Sequence, residues 1–276
     1  MASTRRGELS RKFREICKGL LASKKRVPLK AFLRQWEKRE PAINMKLSTC
    51  LQFLKTGRYL NVYEVCEISS GGDPKKYEDA LRKKLDKYYD GRLELDKTLM
   101  LESTAHYGFA RIGGTGPVIY GPFCVILKPT VMTPFATVFA GDSITTVFDK
   151  EGKRGIAEKK ILERFAVVED VVKLATQWHE DYVRSSRYGI KIQDLVREAE
   201  GKSLMMECHI LGPVLLKDVV EIVIQEEPYK NFWSSVHRWE KAGCPISPNT
   251  IAFDEADSFV QLVELCEQNG IPLNQI

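Results

Sequence analysis

At 276 residues, with 43% apolar and 29% charged residues, the chain can bury a sizeable core and has the balance of a soluble globular protein. No apolar run reaches the roughly 20 residues that span a bilayer, and the opening MASTRRGELSRKF lacks the apolar stretch of a secretory signal peptide. The net charge of +5 is uneven: residues 1–46 hold 14 Lys/Arg against 4 Asp/Glu, a net of +10, and the remainder is −5. Seven cysteines (17, 50, 66, 124, 208, 244, 266) stand singly with no CxxC pair, which fits a reducing compartment and offers no metal site.

In chain order, residues 7–40 predict one or two amphipathic helices. Phe13, Ile16, Cys17, Leu20 and Leu21 recur at helical spacing, Pro28 interrupts, Leu29, Phe32, Leu33 and Trp36 resume, and Pro41 ends the piece. The excess positive charge lies here, so residues 1–46 read as a basic helical segment ahead of a main domain over 47–276. Such a segment could touch acidic protein, acidic lipid or nucleic acid, or act as a solvated secretion signal. Its few aromatics disfavour nucleic acid.

Ser48–Gly57 predicts a short helix stopped by Gly57. Tyr59–Ile68 is mixed, Ser69–Gly72 signals a loop, and Asp73-Pro74 opens a charged helix running to Tyr89. From about residue 98 glycines punctuate β-prone runs, with Val118–Leu127 the clearest strand. Thr137–Ala140 leads into Gly141-Asp142-Ser143, an Asx-type turn. Residues 157–200 read as helical, with Trp178 and Tyr182 on a core stripe. Strands follow at Leu204–Leu211 and Val219–Ile224, and the tail from 229 reads as helix, loop and a helix over Asp257–Asn269. Strands grouped between turns predict an α+β fold, not a doubly wound sheet. Gly113-Gly114-Thr115-Gly116 lacks the Lys-Ser/Thr of a phosphate loop.

The run Leu204–Leu211 carries the sharpest chemistry. With period two, Leu204, Met206, Cys208 and Ile210 share one face, and Met205, Glu207, His209 and Leu211 the other. A carboxylate in mid-strand loses hydration and must be compensated or used. A structural ion pair is the bland alternative.

Other pieces line up around it. Gly57-Arg58-Tyr59-Leu60-Asn61-Val62-Tyr63-Glu64 precedes Ser69-Ser70-Gly71-Gly72. Ala105-His106-Tyr107-Gly108-Phe109 and Gly116-Pro117-Val118-Ile119-Tyr120-Gly121-Pro122 follow, then Gly141-Asp142-Ser143 and the Glu207–Asp218 stretch. This order resembles a divergent bacterial group of ADP-ribosyltransferase-like toxins and effectors over roughly residues 47–225.

The resemblance implies an α+β, split mixed β-sheet core with flanking helices, and a mono-ADP-ribosyltransferase that takes NAD as its co-substrate. Glu207 would be the catalytic carboxylate, offsetting positive charge as the nicotinamide–ribose bond breaks. His209, on the same strand face, would be a base for a hydroxyl acceptor. Two sets compete for the NAD-binding elements. One is Arg58 with Ser69 and Ser70, beside Asn61, Glu64 and Gly71. The other is His106 with Tyr120. The first is favoured, since a cation and a glycine-bearing loop suit a pyrophosphate; His106 and Tyr107 then wall the cleft.

Met205 stands two residues before Glu207, where arginine-modifying members of the family carry Glu or Gln. A Thr or Ser acceptor is therefore favoured over Arg, on a host protein that could be ubiquitin. The resemblance further implies a monomeric effector delivered to the host cytosol by a specialised secretion system. Two other readings stand beside it. One is a cysteine hydrolase using Cys208 or Cys124 with His106, His179, His209 or His237, although adjacent Cys208 and His209 face opposite ways. The other is a non-enzymatic module that binds an acidic partner through residues 1–46.

Overall fold

The computed structural model describes residues 5–101, 104–132, 136–149, 151–187, 189–224 and 251–275. Helices α1 (Arg6–Ala22) and α2 (Arg26–Glu37) follow the apolar spacing expected over 7–40. The break comes before Pro28. Lys24 takes a left-handed φ of 61°, and Pro28 sits in the first turn of α2, where a missing N–H leaves nothing unpaired. Nor does Pro41 end the segment: it lies inside strand β1 (Glu40–Met45). Helix α3 (Leu47–Thr56) is capped by Gly57, and the two-residue strand β2 (Arg58–Tyr59) follows. Helix α4 (Val62–Ser70) takes the place of the mixed stretch and part of the expected loop, because Asn61 and Glu64 form a reciprocal capping box at its start. Asp73 caps α5 (Pro74–Leu85) as its sequence predicts, and a second helix, α6 (Tyr89–Leu99), continues beyond a short turn.

Strand β3 (Ala105–Arg111) leads through the glycine-rich stretch to β4 (Phe123–Leu127). The longer strand expected from Val118 is cut because Val118–Tyr120 form a 3₁₀ turn. Gly121 holds a φ of 140°, and a Cβ there would lie 2.1 Å from the Met45 carbonyl, so only glycine lets the loop lie this close to β1. Strand β5 (Thr137–Ala140) enters the expected Asx-type turn, where Asp142 caps α7 (Ser143–Val147) through the Thr145 N–H. The stretch 157–200 holds α8 (Glu158–Glu163), strand β6 (Phe165–Val167), α9 (Val171–Trp178), α10 (Glu180–Ser185) and α11 (Ile192–Glu200). Strands β7 (Met206–Leu211), β8 (Val214–Leu215) and β9 (Val219–Ile224) follow. Helix α12 (Ile251–Gln268) covers the helix expected over 257–269, and β10 (Leu273–Gln275) closes the chain. The helix expected from 229 lies outside the described residues.

Eight strands form one mixed sheet in the order β10-β9-β4-β1-β3-β7-β5-β6, and β2 pairs with β8 separately. All neighbours in the large sheet are antiparallel except β10 and β9. The fold is α+β. Pro41 is tolerated in a central strand because β4 begins to pair at Ala42; Pro41 faces only Ala110 of β3.

Alternation divides the sheet into two unlike faces. Ile43, Met45, Val125, Val138, Met206 and Cys208 point to one, where α1, α2 and α9 cover one half and α3 and α12 the other. Phe32 and Trp36 are fully buried there, each worth about 2–3 kcal/mol of apolar burial. Ala42, Phe109, Cys124, Phe139 and Glu207 point to the opposite face. Helices α6, α7 and α8 pack over its Phe139–Phe165 end, and Phe109 and Glu207 lie beyond that cluster. The expected boundary after residue 46 does not separate a basic segment from the rest: β1 lies in mid-sheet and α1 and α2 build its core. No helix among the described residues is long and apolar enough to cross a membrane.

Candidate functional site

A cavity of about 280 Å³ opens on this second face. Its floor is β3 and β7, from which Tyr107, Phe109 and Glu207 project, with Met205 just before β7; Arg92 of α6 and Ile144 of α7 form a side, and Pro117 and Tyr120 lean over from the glycine-rich loop. Glu207 reaches the cavity because the register sets it between Phe109 of β3 and Phe139 of β5 on one pleat. It is only 6% exposed. Oε2 accepts the Ser143 backbone N–H at 3.1 Å, and Oε1 lies 2.7 Å from His209 Nε2.

His209 is completely buried, edge-on to Tyr107, with Nδ1 3.1 Å from the Thr137 hydroxyl. One neutral tautomer satisfies all of these contacts: Nε2–H donates to Glu207, and Nδ1 accepts from Thr137. Both ring nitrogens are thus engaged behind the carboxylate. The fully buried ring therefore presents no free nitrogen for the base role expected of His209, and its contact with Glu207 suits it to positioning that carboxylate.

Across the cavity, Arg92 lies flat on the Tyr107 ring, 3.4 Å from its centroid, and its Nε donates to Asp96 at 3.0 Å. Asp96, 1% exposed, also accepts from the hydroxyls of Tyr63 and Tyr107. Burial alone would lower the Arg92 pKa, but Tyr107, Asp96 and Glu207 outweigh it and hold the guanidinium charged. Burial pushes the Tyr107 phenol well up, so it remains a neutral donor. Arg92 and Asp96 escaped the sequence reading. A signal was present, since Arg92, Leu95, Asp96 and Leu99 fall on one i, i+3, i+4, i+7 stripe, which puts an ion pair on the buried side of α6.

The mouth is closed by polar contacts. The Tyr120 hydroxyl donates to Asp142, and Lys202 Nζ reaches the same carboxylate at 2.8 Å. Asn44, also on the wall, donates through Nδ2 to the carbonyls of Thr115 (2.9 Å) and Gly121 (2.8 Å), pinning both ends of the glycine-rich loop. The turn at Gly141-Asp142-Ser143 is therefore structural and also borders the cavity.

The other expected residues assemble elsewhere. Arg58 and Glu64 form an ion pair beside a separate hollow of about 330 Å³, lined also by Tyr63 and Tyr77. Glu64 additionally caps α4 with Asn61 and lies 3.2 Å from His106 Nε2. His106 is buried, hydrogen-bonded to the Tyr59 carbonyl, and its pKa is lowered mainly by burial. Ser69 and Ser70 donate back to carbonyls of their own helix and Gly71 caps it, so this element closes α4 and does not line the Glu207 cavity. Of the two competing sets, only Tyr120 of the second borders that cavity directly, with Tyr107 as its wall. The two hollows share a partition, since Tyr63 lines one and meets Asp96 behind the other.

The two cysteines expected as nucleophiles are poorly placed for that role. Cys208 and Cys124 are buried, and burial pushes each thiol up to about 12. Cys208 packs on Met132, away from Glu207. His179 is stacked on Trp36 in the opposite core layer, and His237 lies outside the described residues. No family model matches the chain, and no curated protein matches it.

Proposed function

We propose that the chain is an NAD-dependent mono-ADP-ribosyltransferase, with Glu207 as the catalytic carboxylate and the sheet the split core of that fold. One observation carries the reading. A buried carboxylate is held by two donors on the floor of a cavity whose far side carries a charged arginine and a tyrosine. At about 280 Å³ the cavity is at the small end of the roughly 300–1,000 Å³ of ligand clefts, suiting a nicotinamide–ribose moiety rather than a whole dinucleotide.

The chemistry follows from those groups. The bond between nicotinamide and ribose breaks through an oxocarbenium-like state, and nicotinamide leaves neutral, so no general acid is needed. Glu207 accepts from the ribose hydroxyls and offsets charge developing at the anomeric carbon. His209 and the Ser143 N–H fix its carboxylate plane. Arg92, in place of Arg58, supplies the cation for a phosphate, and Tyr107 offers a ring for nicotinamide. The acceptor is a protein side chain whose hydroxyl oxygen bonds the anomeric carbon as the bond to nicotinamide breaks, its proton passing to solvent water. Met205, which lines the cavity where an arginine-modifying site needs a carboxylate or amide, favours Thr or Ser. A host protein, ubiquitin among the candidates, reached from a secreted effector completes the proposal.

The test compares parent and Glu207→Gln with NAD. NAD should raise the melting temperature of both proteins, while label transfer to host lysate and NAD hydrolysis fall on the order of 100-fold or more in the variant. If the parent shows no melting shift with NAD and no Glu207-dependent turnover, the proposal is removed.

A further inference from the structure

A larger hollow, about 630 Å³, lies between α1 and α2. Phe13, Cys17 and Leu21 recur every fourth residue along one wall, and Leu29 and Leu33 form the other. Leu21 is 50% exposed, Phe13, Cys17 and Leu33 are half-buried and Leu29 is buried, so the apolar walls meet water chiefly at Leu21. Along the α2 rim stand Arg26, Lys30 and Arg34, again at four-residue spacing. Glu37 lines the hollow beyond Arg34, and none of these three cations forms an ion pair with it or with another carboxylate among the described residues. Their neighbours on α1 do: Arg6 pairs with Asp170, Arg11 with Glu15 and Lys12 with Glu8. The cationic row and the apolar stripe run side by side.

We infer that this groove docks an amphipathic helix of another protein, with apolar residues at i and i+4 between the two ridges and acidic residues against Arg26, Lys30 and Arg34. The row rises over eight residue steps of α2, about 12 Å at ~1.5 Å per residue, so a little over two turns of a partner helix lie against it. Charge complementarity selects the occupant. A second copy would bring its own +10 segment against this one. An anionic bilayer is flat and is met by protruding apolar side chains, whereas these line a concavity. The groove lies on the helices that cover the sheet face opposite Glu207, so it is independent of the proposed transferase activity.

The probe is a fluorescein-labelled synthetic helix of about 18 residues, with leucines at i, i+4 and glutamates on both flanks. Its binding to the full chain is read by anisotropy. Controls are a scrambled peptide, the same peptide with lysine for glutamate, and phosphatidylserine vesicles. The acidic helix should bind, and added salt should weaken it. Arg26→Glu/Lys30→Glu/Arg34→Glu should weaken it about tenfold, as should Leu21→Asp, with unchanged melting temperatures. The inference is overturned if the scrambled or lysine peptide binds as tightly, if the triple reversal binds like the parent, or if only vesicles bind. The peptide series on the unmutated chain decides the matter even where a variant fails to fold. NAD turnover stays at the parent level in every folded variant if both readings hold.

Discussion

Asp96→Asn is the most informative single change behind the cavity wall. Asp96 is 1% exposed and serves Arg92, Tyr63 and Tyr107 at once. The substitution keeps the shape but removes the charge and leaves the buried guanidinium without its counter-ion. Breaking a buried ion pair costs about 3–5 kcal/mol, and a hydrogen bond to a charged group about 1.5–3. These contributions overlap in one network, and asparagine retains an acceptor oxygen, so the expected total is about 3–5 kcal/mol rather than their sum. For a chain of this size that lowers the melting temperature by on the order of 10 °C. Urea unfolding at pH 7 measures the free energy, and the double variant Arg92→Met/Asp96→Leu supplies the comparison. Removing both charges should cost less than removing one, because no buried charge is left alone. An Asp96→Asn protein within about 1 kcal/mol of the parent would mean that Arg92 is solvated, and the described wall would be wrong.

Three further outcomes follow from contacts already given. Burial pushes His179 down to about 3 from the usual 6.5, so the unfolded chain binds a proton that the folded chain refuses. Stability from this group is intact above pH 6.5 and is lost as pH falls, by about 1.4 kcal/mol per unit and about 2 kcal/mol by pH 5; urea midpoints of His179→Phe should show a flatter acid limb, with the smaller His106 share remaining, and an unchanged slope would refute the burial. His209→Phe keeps a ring in the buried site but removes the Nε2 donor that fixes the Glu207 carboxylate, so kcat for NAD turnover should fall about tenfold; an equal kcat in a folded variant would deny the positioning role. In Gly108→Ala the new Cβ would lie 2.5 Å from the Ala42 carbonyl oxygen, so β1 and β3 must separate at about 1–3 kcal/mol, and a thermal melt equal to the parent's would contradict the register.

Features written in local spacing were legible. The period-two run around Glu207, the α1 and α2 stripes, Gly57 as a helix stop, Asp73-Pro74 and the Asp142 turn all appear where the residues put them. Strand β1 was hidden because Glu-Pro-Ala-Ile-Asn-Met offers only two apolar-face positions after a proline, and its place in mid-sheet depends on partners 67 to 84 residues away. Arg58 with Ser69-Ser70 suggested an anion site by composition, yet Arg58 is paired with Glu64 and the serines cap their own helix. Spacing along the chain does not reveal which donors are already taken.

That distinction also separates a ligand cavity from a structural ion pair. Glu207 and Arg92 share one hollow and carry opposite charge, so the cheapest purely structural arrangement would join them directly. Instead each is compensated from behind, Glu207 by His209 and the Ser143 N–H, Arg92 by Asp96. A carboxylate and a guanidinium, each with its own support, line one common space. Such a space is complementary to a molecule with hydroxyl donors at one end and an anion at the other, and a phosphorylated ribose has both.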